Sequence, residues 1–375
     1  MKQYHILTLG CQMNISDSEK IEAILSDFGI KKTNEKSADL IIVNCCSVRQ
    51  KPIDRIWGKL KVWTRINPKA KKILTGCVLE KDLKKMSQKF DFYFNIENIT
   101  SFVQWLENNF APLNYDKLIK INYLEIETKS TNKEIALIPI MNGCDNFCSY
   151  CAVPYTRGRE WSRKPDNILK EIKCKVKQGY KEIILLGQNV CSYRNPKSQI
   201  PNPKQFQNSK FKFKNNDFVE LLEKIVEIQG DFSVKFMSPH PKDFSDELID
   251  LIAKEKKISR EIHLPMQSGD DKILKLMNRG YSSTDYLKLV EKMNKKIKGL
   301  IISTDIIVGF PGELKKNFMN TVKIVNYIKF NKAYVSIYSP RPGTVAHKKY
   351  IDIIPQEVKR KRWLALDKII NKKDS

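Results

Sequence analysis

Nine cysteines in a chain of 375 residues offer more chemistry than any other side chain here, and three of them are tightly spaced. Gly143-Cys144-Asp145-Asn146-Phe147-Cys148-Ser149-Tyr150-Cys151 reads C-x3-C-x2-C, with no fourth cysteine or histidine nearby. A structural zinc site wants four protein ligands, so three thiols argue against zinc. A 4Fe–4S cluster ordinarily takes four thiolates; held by three, it keeps one iron open for an exchangeable ligand. An open iron can chelate a substrate or cofactor, which is an arrangement for catalysis rather than storage.

Three further cysteines are spread through residues 1–112, where strand and helix patterns alternate. Tyr4 to Leu9 is an apolar run ending at Gly10-Cys11, Asp39–Val43 one ending at Cys45-Cys46, and Lys72–Thr75 one ending at Gly76-Cys77. Phe92–Ile96 reads as a further strand. Helices are expected between them: one capped by Ser16 or Asp17 with Ile21, Ile24, Leu25 and Phe28 on one face and a stop at Gly29, then Pro52 to Ile66, Lys81 to Lys89 and Thr100 to Asn109. Such alternation implies a doubly wound parallel sheet. Cys11, Cys46 and Cys77 then fall just past equivalent strand ends, at the edge where open α/β sheets bind ligands. Three buried, inert cysteines are the alternative.

A polar stretch over 113–132 reads as a linker, and a second βα series follows over 133–375. Its candidate strands are Ala136–Met141, Glu182–Gly187, Val234–Ser238, Glu261–Pro265, Leu300–Gly309 and Ala333–Ser339. Six strands are too few for a closed eight-stranded barrel, so the expected fold is α/β throughout: a doubly wound domain followed by an open (β/α)6 partial TIM barrel. Residues 195–216 carry Lys197, Lys204, Lys210, Lys212 and Lys214 with no acid, a basic loop that either touches a phosphate backbone or is a solvated insertion. The chain closes on a basic helix with Lys359, Arg360, Lys361 and Arg362, whose Trp363, Leu366 and Ile369 offer one apolar face.

The 67 basic and 42 acidic residues leave a net charge of +25. That balance favours a polyanionic partner, nucleic acid before an anionic membrane surface, with a lysine-rich composition as the bland alternative. No apolar run approaches the ~18 residues of a spanning helix, and Met1 to Gly10 is too short and polar for a secretory segment. A cytoplasmic protein without membrane contact is expected, its thiols kept reduced for metal or redox chemistry.

With the C-x3-C-x2-C loop after the first barrel strand, the chain resembles the radical S-adenosylmethionine superfamily. The segments 143–163, Leu186 to Val190 (LGQNV), Ser238 to Pro241 (SPHP), His263 to Gly269 (HLPMQSG), Asp305 to Glu313 (DIIVGFPGE) and Tyr338 to Thr344 (YSPRPGT) carry the likeness. Together with the upstream three-cysteine domain, they make it similar to the methylthiotransferases, over nearly the whole chain. The resemblance implies two 4Fe–4S clusters and S-adenosyl-L-methionine. Cys144, Cys148 and Cys151 resemble the ligands of the radical cluster, and Tyr150 the aromatic residue beside the adenine. Cys11, Cys46 and Cys77 resemble the ligands of the auxiliary cluster; Cys45 stands where the family has threonine and could compete for iron. In the family, reductive cleavage of S-adenosylmethionine abstracts an unactivated hydrogen that no side-chain acid or base could remove, and the cofactor carries that chemistry.

Gly187, Gln188 and Asn189, past the second barrel strand, could hydrogen-bond the cofactor or substrate, or simply form a turn. Gly309, with Pro311-Gly312, permits close backbone approach to a ligand or makes an ordinary turn. Arg157, Arg159 and Arg163 could bind phosphate or carboxylate, or be a solvated charge run. His240 and His263 lie near strand ends without an assigned role, Cys174 is expected in a helix core, and Cys191 has no role. The LGQNV and VPYTRG segments favour the class that adds a methylthio group to C2 of N6-isopentenyladenosine in the tRNA anticodon stem-loop. The sister class acting on N6-threonylcarbamoyladenosine, and a non-catalytic iron–sulfur RNA-binding protein, are the alternatives. The resemblance also implies a flavodoxin- or ferredoxin-type electron donor. The family's C-terminal TRAM domain has no counterpart before Ser375, so RNA is expected on the basic barrel rim, the lysine loop and the last helix, or on a separate RNA-binding or sulfur-donor protein.

Overall fold

The computed structural model describes residues 2–48, 50–110, 123–128, 132, 134–194 and 217–371. Two compact units divide the chain. The first is Met1–Lys133 with Cys151–Gly158 and Arg341–Gly343; the second is Glu134–Tyr150, Arg159–Pro340 and Thr344–Ser375. Most of the expected linker and the whole lysine loop at 195–216 lie outside the described residues.

In the first unit the apolar runs form one parallel sheet. Its strands are β1 (Gln3–Leu9), β2 (Lys31–Lys32), β3 (Leu40–Cys46), β4 (Lys71–Cys77) and β5 (Phe92–Tyr93), in the order β2-β1-β3-β4-β5. Central β3 (LIIVNCC) is buried over its first six residues, as a strand covered on both faces must be. Helices α1 (Gln12–Asp27), α2 (Gln50–Ile66), α3 (Glu80–Met86) and α4 (Ile99–Asn109) supply the cover, and the short α5 (Val153–Thr156) also belongs to this unit. Ile53, Ile56, Leu60 and Trp63 recur at helical spacing on α2 and pack with Ile41, Val43 and Leu74 of the sheet.

Three details depart from the sequence reading. Helix α1 begins at Gln12 with Cys11 as its cap, leaving Ser16 and Asp17 buried inside it. The Asn14 side chain, three residues on, accepts a hydrogen bond from the Cys11 N–H at 3.3 Å, so the helix starts directly off the strand. Strands β3 and β4 run on to Cys46 and Cys77, which pair opposite each other as the last residues of the ladder. Gly76 permits this: its φ is +101°, and a Cβ there would lie 2.3 Å from the Cys45 carbonyl oxygen. The edge strand β2 follows Gly29 without any apolar pattern to announce it.

In the second unit β6 (Ile135–Pro139) leads into β7 (Met141–Asn142), which pairs antiparallel with β8 (Trp161–Ser162). This unforeseen ribbon brackets the segment that carries the three close cysteines. There follow α6 (Pro165–Lys177), β9 (Glu182–Leu186), α7 (Asp217–Val226), β10 (Ser233–Phe236), α8 (Asp246–Lys254) and β11 (Glu261–His263). Then come α9 (Asp271–Leu276), α10 (Ser283–Lys296), β12 (Ile301–Val308), α11 (Lys315–Ile328), β13 (Lys332–Ile337), α12 (Val345–Lys349) and α13 (Gln356–Asn371).

Strands β6, β9 and β10 form one parallel sheet and β11, β12 and β13 another. A bridge from Val234 of β10 to Ile258, just before β11, joins them. Six strands thus follow in chain order around an open (β/α)6 partial barrel. On β12 Ile302, Ile306 and Val308 enter one core with Leu222, Ile249, Val290 and Met293 of the helices.

Helix α13 lays Leu366 and Ile370 into that core, and its Trp363 indole N–H donates to the Val335 carbonyl at 2.8 Å. Its basic residues do not all face solvent as expected. Lys359 is 3% exposed and bonds Asp352 at 2.6 Å, and Arg362 bonds Glu313 at 2.6 Å. A buried ammonium needs its counter-charge, so these two hold the helix down, while Arg360 and Lys361 stay exposed. Among the described residues no helix is long and apolar enough to cross a membrane.

Leu222 is fully buried, whereas Ile353 is 78% exposed. Urea unfolding should therefore show Leu222→Ala losing about 2–5 kcal/mol, and Ile353→Ala staying within about 0.5 kcal/mol of the parent.

Candidate functional site

At the carboxyl edge of the first unit's sheet the thiols of Cys46 and Cys77 hydrogen-bond each other. Cys11 lies near enough for its charge and that of Cys77 to bear on one another. The bond from Cys46, reinforced by Arg157, holds the Cys77 thiol below its ordinary range, while Cys46 itself is driven up. Cys45 points the other way, into the apolar core with Ile41 and Val43, and burial pushes its thiol up to about 12.

A polar network supports this edge. Asn14 donates to the Asn44 side chain at 3.0 Å, and Asn44 donates to the Asn14 carbonyl at 2.7 Å and to Ser18 at 3.0 Å. Arg157 is 2% exposed; it donates through Nε to the Cys77 sulfur at 2.9 Å and through Nη2 to Asp17 at 2.6 Å.

In the second unit Cys144 is 8% exposed, and burial raises its thiol to about 11; Cys148 is half-buried. The loop between them turns through Phe147 at φ +47°, a left-handed conformation that costs a non-glycine residue and persists only where surroundings impose it. The turn after α9 imposes it. The Asn278 side chain donates to the carbonyls of Asn146 and Phe147, the Ser149 N–H to the Met277 carbonyl at 2.9 Å, and its hydroxyl to the Leu276 carbonyl at 2.8 Å. From the same turn Arg279 donates to the Cys148 sulfur at 3.3 Å and to the Tyr150 hydroxyl at 3.5 Å. Cys151 groups with the first unit, where its sulfur accepts the Val153 N–H at 3.4 Å.

Among the described residues no three His, Cys, Asp or Glu side chains stand as a ready metal site. Three of the cysteine sulfurs accept from protein donors: Cys77 from Arg157, Cys148 from Arg279 and Cys151 from the Val153 N–H. The donor set still fits an iron–sulfur group: soft thiols, three per set, with no fourth ligand to close the coordination.

The barrel mouth carries a second indication. Gln188 Oε1, His240 Nε2 and Gln267 Oε1 are buried without a hydrogen-bond partner among the described residues, one past the end of each of β9, β10 and β11. Each orphan costs about 1–3 kcal/mol unless something polar meets it, so the mouth fits a polar cofactor of the S-adenosylmethionine type. Burial, then the Arg279 charge, depresses His240 to about 2 and keeps it neutral.

Other expected residues have protein partners. Asn189 donates to Asp243 at 2.7 Å and accepts the His240 N–H at 3.1 Å. A Cβ on Gly187 would meet Met141 at 2.5 Å, and one on Gly309 would meet the Lys359 side chain at 2.4 Å. The close approach that Gly309 permits is therefore made by α13. Arg163 binds Glu171 at 2.8 Å and exposed Arg159 binds Asp145 at 2.7 Å. His263 bridges Ser303 and Asp305, each at 3.0 Å. Cys191 is in the core, but Cys174 is only half-buried on α6, against expectation, because the Lys173 and Lys177 side of that helix faces water. Sequence reading missed Asp17, Arg279 and Tyr281 as site residues; a charged residue outside any cysteine motif gives no signal of burial.

Residues 138–325 match the Radical SAM superfamily, and residues 3–95 match Uncharacterized protein family UPF0004. The chain is 39% identical to the tRNA-2-methylthio-N(6)-dimethylallyladenosine synthase of Fusobacterium nucleatum over 99% of its length and 84% of that protein. It is 40% identical to the enzyme of the same name from Carboxydothermus hydrogenoformans, over 99% of this chain and 83% of that one. This chain belongs to the tRNA-2-methylthio-N(6)-dimethylallyladenosine synthase family. Its fold resembles that of the radical S-adenosylmethionine methyltransferase TsrM from Kitasatospora setae, with a TM-score of 0.62 at 14% identity, covering 92% of this chain and 75% of that one. Membership of the radical SAM superfamily implies a 4Fe–4S cluster used with S-adenosylmethionine.

Just before β8, Glu160 accepts a hydrogen bond from the Ser192 hydroxyl at 2.8 Å, and burial raises its carboxyl to about 7. A carboxyl raised in the folded state binds its proton more tightly there than in the unfolded chain. Its contribution to stability is therefore complete below 4.5 and is lost as pH rises towards 7. Melting temperatures between about pH 5 and 8 should show Glu160→Gln gaining on the parent as pH rises, by about 1–3 kcal/mol.

Proposed function

We propose that this chain is a radical SAM methylthiotransferase that adds a methylthio group to C2 of N6-isopentenyladenosine in the tRNA anticodon loop. Two sets of three cysteines support the reading: Cys144, Cys148 and Cys151 as ligands of the radical cluster, and Cys11, Cys46 and Cys77 as ligands of an auxiliary 4Fe–4S cluster. The observation that carries it is the meeting of Cys46 and Cys77 at one sheet edge, opposite in register, with Cys11 just past the end of the neighbouring strand β1. A radical SAM barrel alone would have no use for that second set of thiols.

When bound, the clusters and S-adenosylmethionine supply hydrogen abstraction and the sulfur. The chain's own residues bind and orient. The turn after α9 fixes the Cys144–Cys148 loop through Asn278 and Ser149. Gln188, His240 and Gln267 offer unmet polar atoms at the mouth, and Tyr150 packs its ring against Ile273, Met277 and Phe310. On the first unit's sheet edge Arg157 keeps the Cys77 sulfur supplied with a hydrogen-bond donor. A flavodoxin- or ferredoxin-type protein would deliver electrons, and the tRNA substrate places the enzyme's work in the cytoplasm. The sister substrate, N6-threonylcarbamoyladenosine tRNA, is the competing assignment that the tRNA analysis below would reveal.

Anaerobic reconstitution should load about eight irons, falling to about four in the Cys144/Cys148/Cys151 triple alanine variant. Cys148→Ala should abolish cleavage of S-adenosylmethionine, whereas Cys77→Ala should spare cleavage but stop methylthiolation of isopentenyladenosine in tRNA, read by nucleoside mass spectrometry. Equal loss of cleavage in both folded variants would sink the division between the two cysteine sets.

A further inference from the structure

Among the described residues four arginines are buried, and three of them face a carboxylate: Arg157 with Asp17 at 2.6 Å, Arg163 with Glu171 at 2.8 Å and Arg341 with Asp82 at 2.7 Å. Arg279 is the exception. It is 5% exposed, and no carboxylate among the described residues lies within ion-pair distance. Its partners are neutral: the Tyr281 hydroxyl at 3.2 Å, the Pro265 carbonyl at 3.1 Å, the Tyr150 hydroxyl at 3.5 Å and the Cys148 sulfur at 3.3 Å. The Tyr281 ring lies 5.4 Å from the guanidinium, and the neighbouring His240 is neutral.

A guanidinium cannot shed its proton to escape burial, and a buried, unpaired charge costs several kcal/mol even after relaxation. Among the described buried arginines it is Arg279 that carries this cost, against a sulfur of the C-x3-C-x2-C loop. The missing anion should therefore be one that arrives there with the bound cofactor.

We propose that Arg279 is the fixed counter-charge of the Cys144–Cys148–Cys151 loop: a positioning residue whose guanidinium donates to Cys148 and offsets the negative charge of the cluster held there. The proposal rests on reading this loop as a cluster site. Net charge and hydrogen bonds to sulfur set the reduction potential of such clusters. A bare positive charge stabilises the reduced, more negative state, so Arg279 raises the potential. Arg157 also donates to a cysteine sulfur, but Asp17 already neutralises it, so the two cysteine sets receive different fields from similar donors.

The test uses the full chain with Cys11, Cys46 and Cys77 replaced by alanine, so that only this loop can hold iron. Iron content and an EPR-monitored potentiometric titration are measured without S-adenosylmethionine. Arg279→Lys should keep the iron and a potential near that of the parent. Arg279→Gln, checked for native circular dichroism, should shift the potential to more negative values or lose the iron. Unchanged iron and an unmoved potential in folded Arg279→Gln would overturn the proposal. Should that variant fail to fold, His240→Glu decides: it sets a carboxylate beside an intact Arg279, and the potential should fall, an unmoved one again overturning the idea. If the parent with Arg279 intact takes up no iron at all, the cluster reading itself fails, and the role of Arg279 falls with it for that separate reason.

Discussion

The salt bridge between Arg157 and Asp17 is the interaction on which the first unit's cysteine-bearing edge depends. Both side chains are out of water, at 2% and 0% exposure, so neither can stand without the other. Removing one partner of such a pair typically costs 3–5 kcal/mol, roughly a third of a domain's whole stability. The two residues lie 140 positions apart, which makes the segment Cys151–Gly158 part of this unit despite its place in the sequence. The same guanidinium donates to Cys77. The orientation of a sulfur at the sheet edge is thus secured by an ion pair whose other half sits on α1, and α1 is itself held by the Asn14–Asn44 bonds.

The second unit meets its own constraint differently. Residues 143–150, which carry Cys144 and Cys148, follow β7 without regular structure, which exposes backbone groups that need partners. The β7–β8 ribbon closes the base of the loop, and the turn at Asn278 accepts its strained centre. Asn278 is itself left-handed, at φ +57°, so two strained residues brace each other. Strain of this kind persists where the surroundings over-determine it. Here the surroundings are the capped start of α10 and the core beneath Tyr281 and Tyr286, whose hydroxyls bond the Met266 and Leu264 carbonyls at 2.8 Å.

How much of this the sequence discloses depends on what kind of burial is at stake. Apolar periodicity exposes the barrel strands, the α2 face of Ile53, Ile56, Leu60 and Trp63, and the parallel sheet, because water exclusion acts on every residue of such a pattern. It does not separate Cys45 from Cys46, since β3 is covered on both faces; that choice rests on the family resemblance. It says nothing about Asp17, Arg157 or Arg279. Each is buried through directional polar partners, most of them far away in the chain, and in sequence each looks like an ordinary surface charge. The same blindness applies to the helix start at Gln12, which is set by one side-chain bond from Asn14, and to Lys359 and Arg362, whose inward turn depends on Asp352 and Glu313.

The composition sharpens that contrast. The chain has 55 lysines and only 12 arginines. Four of the twelve arginines are buried, against three lysines (Lys20, Lys175 and Lys359) among the described residues. On the surface a positive charge of either kind serves for solubility or for attraction to a polyanion, so a lysine-rich bias passes without cost. Inside, the two are not interchangeable. Arg157 reaches a sulfur and a carboxylate at once, Arg163 a carbonyl and a carboxylate, and Arg279 a sulfur, a carbonyl and a phenol. Lysine offers one compact charge at the end of a flexible stem, whereas the planar fork addresses several acceptors in fixed directions. In the interior of so lysine-rich a chain, the directions of the arginine fork add to what its charge provides. Two of those four positions donate to cysteine sulfurs, Arg157 to Cys77 and Arg279 to Cys148.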